Sequence, residues 1–233
     1  MERAASPIFC AIDTPDPARA QELANAVRGV VNIKLGLEFF VANGPGAVRR
    51  VASGAPLFLD LKLHDIPNTV AGAVRAAASL KPMLLTIHCG GGPAMMRAAV
   101  EAAQQAAAGG RRMQLLGVTV LTSLDNADLD AVGQRGPTTE HAVRLARLAR
   151  DCGLDGVVCS PHEIAALREA CGKEFLLVVP GIRPSGIAAG DQKRVLNPRA
   201  ALDAGADYLV IGRPITGAPD PRAVARAMRA ALQ

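Results

Sequence analysis

Short apolar runs alternate with longer amphipathic stretches along the whole chain, and this rhythm restricts the fold more than any other feature. The runs are Ile8–Asp13, Val31–Gly36, Leu57–Leu63, Leu84–Cys89, Gln114–Leu121, Gly156–Ser160, Phe175–Pro180 and Tyr208–Gly212. Each has the length and residue types of a buried strand. Each leads into a helix-like segment or a loop towards one; Pro67–Leu80, Ala94–Ala108, Glu140–Cys152, His162–Cys171 and Pro221–Leu232 are the clearest. Asp16-Pro17 and Pro67 mark helix starts, and Gly153 and Gly172 follow helix ends. Eight βα units in 233 residues predict an α/β fold, a TIM (β/α)8 barrel forming one domain over residues 1–233. The competitor is an open doubly wound sheet. That fold usually carries a glycine-rich turn after its first strand, where this chain has Ala11-Ile12-Asp13-Thr14-Pro15. Gly109-Gly110-Arg111-Arg112 reads as a simple αβ connection, and no linker divides the chain.

Composition narrows the class. With five Phe, one Tyr and no Trp, the core must be built from Ala, Val, Leu and Ile. The net charge of +5 weakly favours an anionic ligand. A nucleic-acid partner is not expected, because basic residues are not clustered and stacking aromatics are missing. Arg144, Arg147 and Arg150 read as a solvated helix face. The five cysteines are odd in number and lack a CxxC spacing, which fits a reduced, cytoplasmic setting. Glu2 and Arg3 are followed by no signal-like apolar segment, and no run is long enough for a membrane span.

The third run carries the chemistry. Leu59-Asp60-Leu61-Lys62-Leu63 places two charges in an apolar strand. Residues two apart share a face, so Asp60 and Lys62 point together while the leucines take the other side. A buried ion pair usually brings no net stability over apolar residues. Its presence here, with Asp65 immediately after, points to a chemical use.

In a barrel, catalytic groups lie at the C-terminal strand ends. Asp13, Lys34, the Asp60–Lys62–Asp65 group, His88, Thr122 with Ser123, Ser160, Arg183 and Gly212-Arg213 all fall there. Each has a plainer reading. Asp65 fits a helix cap equally well, Asp13 a turn, Lys34 a structural ion pair with Asp60, and His88 a core histidine. His64, His141 and His162 read as surface or loop residues. Asp60, Asp65 and His88 could ligate a metal, but two ammonium groups at the same mouth oppose a cation. No metal is expected. Gly212 and Arg213 suit phosphate at the loops after strands seven and eight. The Gly/Pro-rich segment from Arg183 to Lys193 reads either as a lid over that ligand or as an ordinary loop.

These motifs together resemble the orotidine 5′-phosphate decarboxylase family. The likeness rests on Asp60-x-Lys62-x-x-Asp65-Ile66-Pro67-Asn68-Thr69, on Lys34 in Ile33-Lys34-Leu35-Gly36, and on Pro180-Gly181-Ile182-Arg183, Asp191-Gln192 and Ile211-Gly212-Arg213-Pro214. The resemblance implies cofactor-free conversion of orotidine 5′-monophosphate to UMP and CO2, the last step of de novo pyrimidine synthesis. It implies a charged network of Lys34, Asp60, Lys62 and Asp65, with Lys62 as proton donor to C6. It also implies a homodimer in which Asp65 reaches the neighbouring site. Asp13 and Lys34 would hold ribose hydroxyls, and Thr122 with Ser123 would meet the base. Thr69 would join the substrate contacts, and Arg183, Gln192, Gly212 and Arg213 would hold the phosphate end.

Three rivals remain. Magnesium-dependent sugar-phosphate decarboxylases and synthases of the same barrel group share the Asp-x-Lys-x-x-Asp strand but carry Glu where this chain has Lys34. A Schiff-base aldolase would need a neutral lysine, which Asp60 and Asp65 oppose. A non-catalytic nucleotide-binding barrel should have a broken motif, yet all four charged positions are present.

Overall fold

The computed structural model describes residues 6–134, 136–183 and 196–232. Strands β1 (Ile8–Ile12), β2 (Asn32–Gly36), β3 (Leu57–Leu63), β4 (Leu84–His88), β5 (Gln114–Val118), β6 (Gly156–Val158), β7 (Leu176–Val179) and β8 (Tyr208–Ile211) form a closed barrel in chain order. All neighbours run parallel, and β1 pairs with both β2 and β8. That closure makes it a TIM barrel and excludes the open sheet. Outside the barrel run α1 (Pro17–Val27), α2 (Leu37–Val51), α3 (Pro67–Ala78), α4 (Gly92–Ala107), α5 (Asn126–Ala131), α6 (Thr138–Asp151), α7 (Ile164–Cys171), α8 (Pro198–Asp203), α9 (Arg213–Thr216) and α10 (Pro221–Ala230). None of the described helices is long and apolar enough to cross a membrane.

Helix starts follow local chemistry. The Asp16 carboxylate accepts the N–H groups of Ala18 and Arg19, with Pro17 in the first helical position. Pro67 likewise opens α3, but the cap position belongs to Ile66 and no side chain caps it. The alternative reading of Asp65 as a helix cap therefore fails; among the described residues its Oδ1 accepts only the adjacent Ile66 N–H, at 2.6 Å.

Alternation along the strands separates a plug from a mouth. Low in the barrel, Phe9, Phe58, Leu84, Leu116, Leu176 and Tyr208 pack together. Phe9 meets Phe58 and Tyr208 edge-to-face at centroid distances of 5.6 and 5.3 Å. Three of the six aromatic residues are thus placed where a wide interior needs filling, and the other three pack in the outer shell. Further along the same strands polar groups take over. Phe58 gives way to Asp60 and Lys62, and Leu84 to Thr86.

The outer shell, between sheet and helices, is mainly aliphatic and includes all five cysteines, each a buried free thiol. Burial pushes the Cys10 and Cys89 thiols up to about 12, so they behave as small apolar groups.

Two similar locks hold the barrel base. Asp155, just before β6, accepts the Leu115 N–H of β5 at 2.8 Å and both Arg112 terminal nitrogens at 3.0 and 2.5 Å. Asp207, just before β8, accepts the Leu177 N–H of β7 at 2.8 Å and Arg168 at 2.7 Å. Arg168 also donates to the carbonyls of Gly172, Phe175 and Gly205. Arg168→Ala would remove the counter-charge beside a buried carboxylate and the donor to several carbonyls. A loss of about 3–5 kcal/mol is expected, roughly 10 °C in Tm. Calorimetry would measure it, and turnover per folded molecule should change little because the mouth lies at the other end.

Candidate active site

The exits of β1, β2 and β3 bring four charges into one alternating chain. Lys34 Nζ lies 3.1 Å from Asp13 Oδ1 and 3.5 Å from Asp60 Oδ2. Lys62 Nζ lies 2.8 Å from the same Asp60 oxygen. The Lys34 and Asp60 side chains are 8% and 13% exposed, so these charges have lost most of their water and are stabilised mainly by each other. Burial alone would depress the Lys34 ammonium, but Asp60 and then Asp13 outweigh it and hold its pKa above the usual lysine value. Burial alone would raise the Asp60 carboxyl. Lys34, Lys62 and hydrogen bonds from Lys62 and Thr86 reverse that and hold it below the usual carboxylate value.

Lys62 meets Asp60 by a route that strict alternation does not describe. Its φ is +50°, and the β3–β4 register shifts between Leu59 and Leu63. Such backbone is costly for a side-chain-bearing residue, and its occurrence at a reactive group points to function. Thr86 on β4, fully buried, bonds to both Asp60 and the Lys62 backbone. Gly36 leaves them room, since a Cβ there would lie 3.1 Å from both Asp13 Oδ1 and Lys34 Nζ and would push the pair aside by a few tenths of an ångström. Neither Thr86 nor Gly36 is singled out by sequence reasoning. A hydroxyl at an inward position of a buried strand was the available signal for Thr86.

The network forms one wall of a cavity of about 420 Å³. Asp13, Lys34, Asp60, Lys62, Thr122, Arg183, Gly212 and Arg213 all line it, so most expected site residues converge. Arg183 and Arg213 come from the β7 and β8 exits, across the ring from β3. Arg183 is 9% exposed, and its Nε–H has no acceptor among the described residues. A buried, unfilled guanidinium donor in a cavity wall suits an anion.

Other expected residues fall elsewhere. Asp65, Thr69 and Ser123 are exposed and do not line the cavity of the single chain. Gln192 and most of the Arg183–Lys193 segment lie outside the described residues. Arg183 N–H bonds to Leu196 O at 3.0 Å, so the two ends of that connection are joined. Ser160 is buried and caps a short turn. His88 is neither a core histidine nor a cavity residue. It stacks on His64 at 5.0 Å near the rim, and its Nδ1 accepts the Gly90 N–H. Burial, then His64 and Lys62, lower its pKa. His141, expected at the surface, is instead buried beside Arg144, under the small cluster of Val120, Leu129 and Ala142.

With this geometry in place, likeness to known proteins becomes informative. Residues 6–228 match the family described as "Orotidine 5'-phosphate decarboxylase / HUMPS family". An orotidine 5′-phosphate decarboxylase of Anaeromyxobacter sp. (strain K) is 56% identical over 227 residues, covering 97% of each chain. One from Novosphingobium aromaticivorans is 52% identical, covering 97% of this chain and 99% of its own. The crystal structure of orotidine 5′-phosphate decarboxylase from Lactobacillus acidophilus superposes with a TM-score of 0.86 at 35% identity, covering 98% of this chain and 99% of that one. A matched barrel, a charged network at its mouth and relatives matched over nearly their full length agree, and this chain belongs to the orotidine 5′-phosphate decarboxylase / HUMPS family.

Proposed function

We propose that this chain, acting as one catalytic domain, converts orotidine 5′-monophosphate to UMP and CO2 in pyrimidine synthesis, without a metal or organic cofactor. The observation that carries this reading is the Asp13–Lys34–Asp60–Lys62 chain. Loss of CO2 leaves an electron pair on C6 of the pyrimidine with nothing to delocalise it. An ammonium already fixed at that carbon stabilises the charge as it forms and then gives its proton to C6. Lys62 takes that role, and Asp60 keeps it oriented. Lys34 separates this reading from the magnesium-dependent sugar-phosphate enzymes of the same family, because its ammonium sits between two carboxylates that a metal would otherwise recruit.

The rest of the cavity fits the remainder of the nucleotide. Asp13 and Lys34 take ribose hydroxyls, Thr122 the base edge, and Arg183, Gly212 and Arg213 the phosphate. Ser123, exposed beside Thr122, and Gln192, outside the described residues, are assigned to the base and phosphate ends from the family resemblance alone. Binding energy gained at the phosphate end, remote from the reacting carbon, then orders the site around C6.

Asp65 and Thr69 complete the site from a second copy of the chain. Support comes from the rim, where Leu37 at the start of α2 is 53% exposed, Val41 76% and Ile66, beside Asp65, 68%. Apolar residues grouped near one mouth suit a protein contact. Five free thiols and the absence of a crossing helix among the described residues accord with a cytoplasmic setting.

The direct test follows the ultraviolet absorbance of orotidine 5′-monophosphate after EDTA treatment of the protein. Steady loss of absorbance with formation of UMP is expected. No turnover would overturn the assignment, and turnover that returns only with added magnesium would overturn the cofactor-free route.

A further inference from the structure

We propose that Thr86 is a positioning residue for this reaction: its hydroxyl locks the β3 bulge so that Asp60 and Lys62 are held together at the reacting carbon. The inference rests on the decarboxylase reading and adds a residue to it.

Thr86 Oγ1 lies 2.9 Å from the Lys62 backbone nitrogen and 2.9 Å from Asp60 Oδ1. The direction of both bonds follows from the groups involved. A backbone N–H only donates, and an ionised carboxylate only accepts. The hydroxyl therefore receives the Lys62 N–H and sends its single proton to Asp60. One side chain thus grips the backbone of one charged residue and the carboxylate of the other. Asp60 Oδ2 is left for the two ammonium groups, Lys62 at 2.8 Å and Lys34 at 3.5 Å.

The lock sits where the sheet cannot provide it. Leu59 pairs with Leu85 and Leu63 with Ile87, so four steps along β3 are matched by two along β4. The excess residues include Lys62, at φ +50°. Regular ladder pairing is interrupted around Lys62, and the Thr86 hydroxyl supplies an acceptor for its N–H from the neighbouring strand. Thr86 is 0% exposed, so water does not easily replace it. Without it, the Asp60 carboxylate gains freedom to rotate, and the Lys62 backbone loses the bond that holds its unusual conformation.

The test compares wild type with Thr86→Val, which keeps shape and removes the hydroxyl, and Thr86→Ser, which keeps the hydroxyl. Turnover of orotidine 5′-monophosphate, UMP affinity and thermal melting are measured for each. For Thr86→Val, kcat should fall about 100-fold while KM and UMP affinity stay within about threefold, as for a small misplacement of reacting groups. Thr86→Ser should stay within about threefold of wild type in kcat. Unchanged kcat in folded Thr86→Val, loss confined to KM and UMP affinity, or a serine variant as impaired as valine would each overturn the proposal. If Thr86→Val does not fold, Thr86→Cys, a weak donor in the same space, is judged by the same kcat and KM criteria. A wild type without turnover would remove the decarboxylase reading together with this inference, whereas an active wild type with an equally active Thr86→Val would overturn the inference alone.

Discussion

Lys62→Ala is expected to reduce kcat by about 10⁴-fold or more, since on the proposed mechanism it removes both the proton donor and the charge that stabilises the C6 carbanion. The fold should survive. Lys62 is 36% exposed through its side chain and contributes nothing to the apolar plug below it. Asp60 would keep Lys34 at 3.5 Å and the Thr86 hydroxyl at 2.9 Å, so its carboxylate is not left without partners. UMP binding should persist because Arg183 and Arg213, the proposed phosphate contacts, are untouched. Lys62→Arg divides the two roles. A guanidinium keeps the positive charge but does not release a proton near neutral pH, so it should recover little of the lost rate if proton delivery matters. Single-turnover absorbance changes, UMP affinity and a melting curve form the measurement. Near-normal turnover in folded Lys62→Ala would remove Lys62 from the mechanism.

The barrel was legible because its strands are short, apolar and regularly spaced. β3 falls at Leu57–Leu63, as the pattern predicts. Errors gather at the C-terminal strand ends. The apolar run of the fifth strand continues to Leu121, yet β5 stops at Val118, and Val120 and Leu121 line the cavity. Apolar residues that face a ligand and apolar residues that face a helix look alike in sequence. His141 failed for a related reason. In sequence it reads as a surface or loop residue, but Leu129 of α5 and Val120 pack on the neighbouring Ala142 of α6 and that turn is buried.

The charged residues were legible for an energetic reason and their supports were not. A buried Asp and Lys in one strand are anomalous enough to demand an explanation. Thr86 in Leu84-Leu85-Thr86-Ile87-His88 is an ordinary β-branched strand residue until its two hydrogen bonds are seen. Gly36 is likewise an ordinary glycine until the Asp13–Lys34 pair is found in the space its Cβ would crowd. Groups that perform chemistry stand out by their cost. Groups that hold them in place are visible only through contacts distant in sequence.

Asp65 is the exception, and it leads to the strongest test of assembly. In the single chain it is exposed, bonds among the described residues only to its own neighbour's N–H, and does not line the cavity. If a carboxylate from a second copy completes the site, Asp65→Asn should lower kcat by about 10²–10³-fold, the scale for removing one preorganised electrostatic group. Mixing then separates a shared site from a self-contained one. Asp65→Asn subunits retain Lys62, and Lys62→Ala subunits retain Asp65. In a two-fold dimer of one of each, one site combines both intact residues and the other combines both defects. Random exchange makes about half the dimers mixed, each with one restored site, so activity should rise to about a quarter of wild type. Subunits carrying different affinity tags would show that mixed dimers have formed. Recovery near that level establishes that the site is built by two chains; mixed dimers without recovery would place Asp65 outside the neighbouring site.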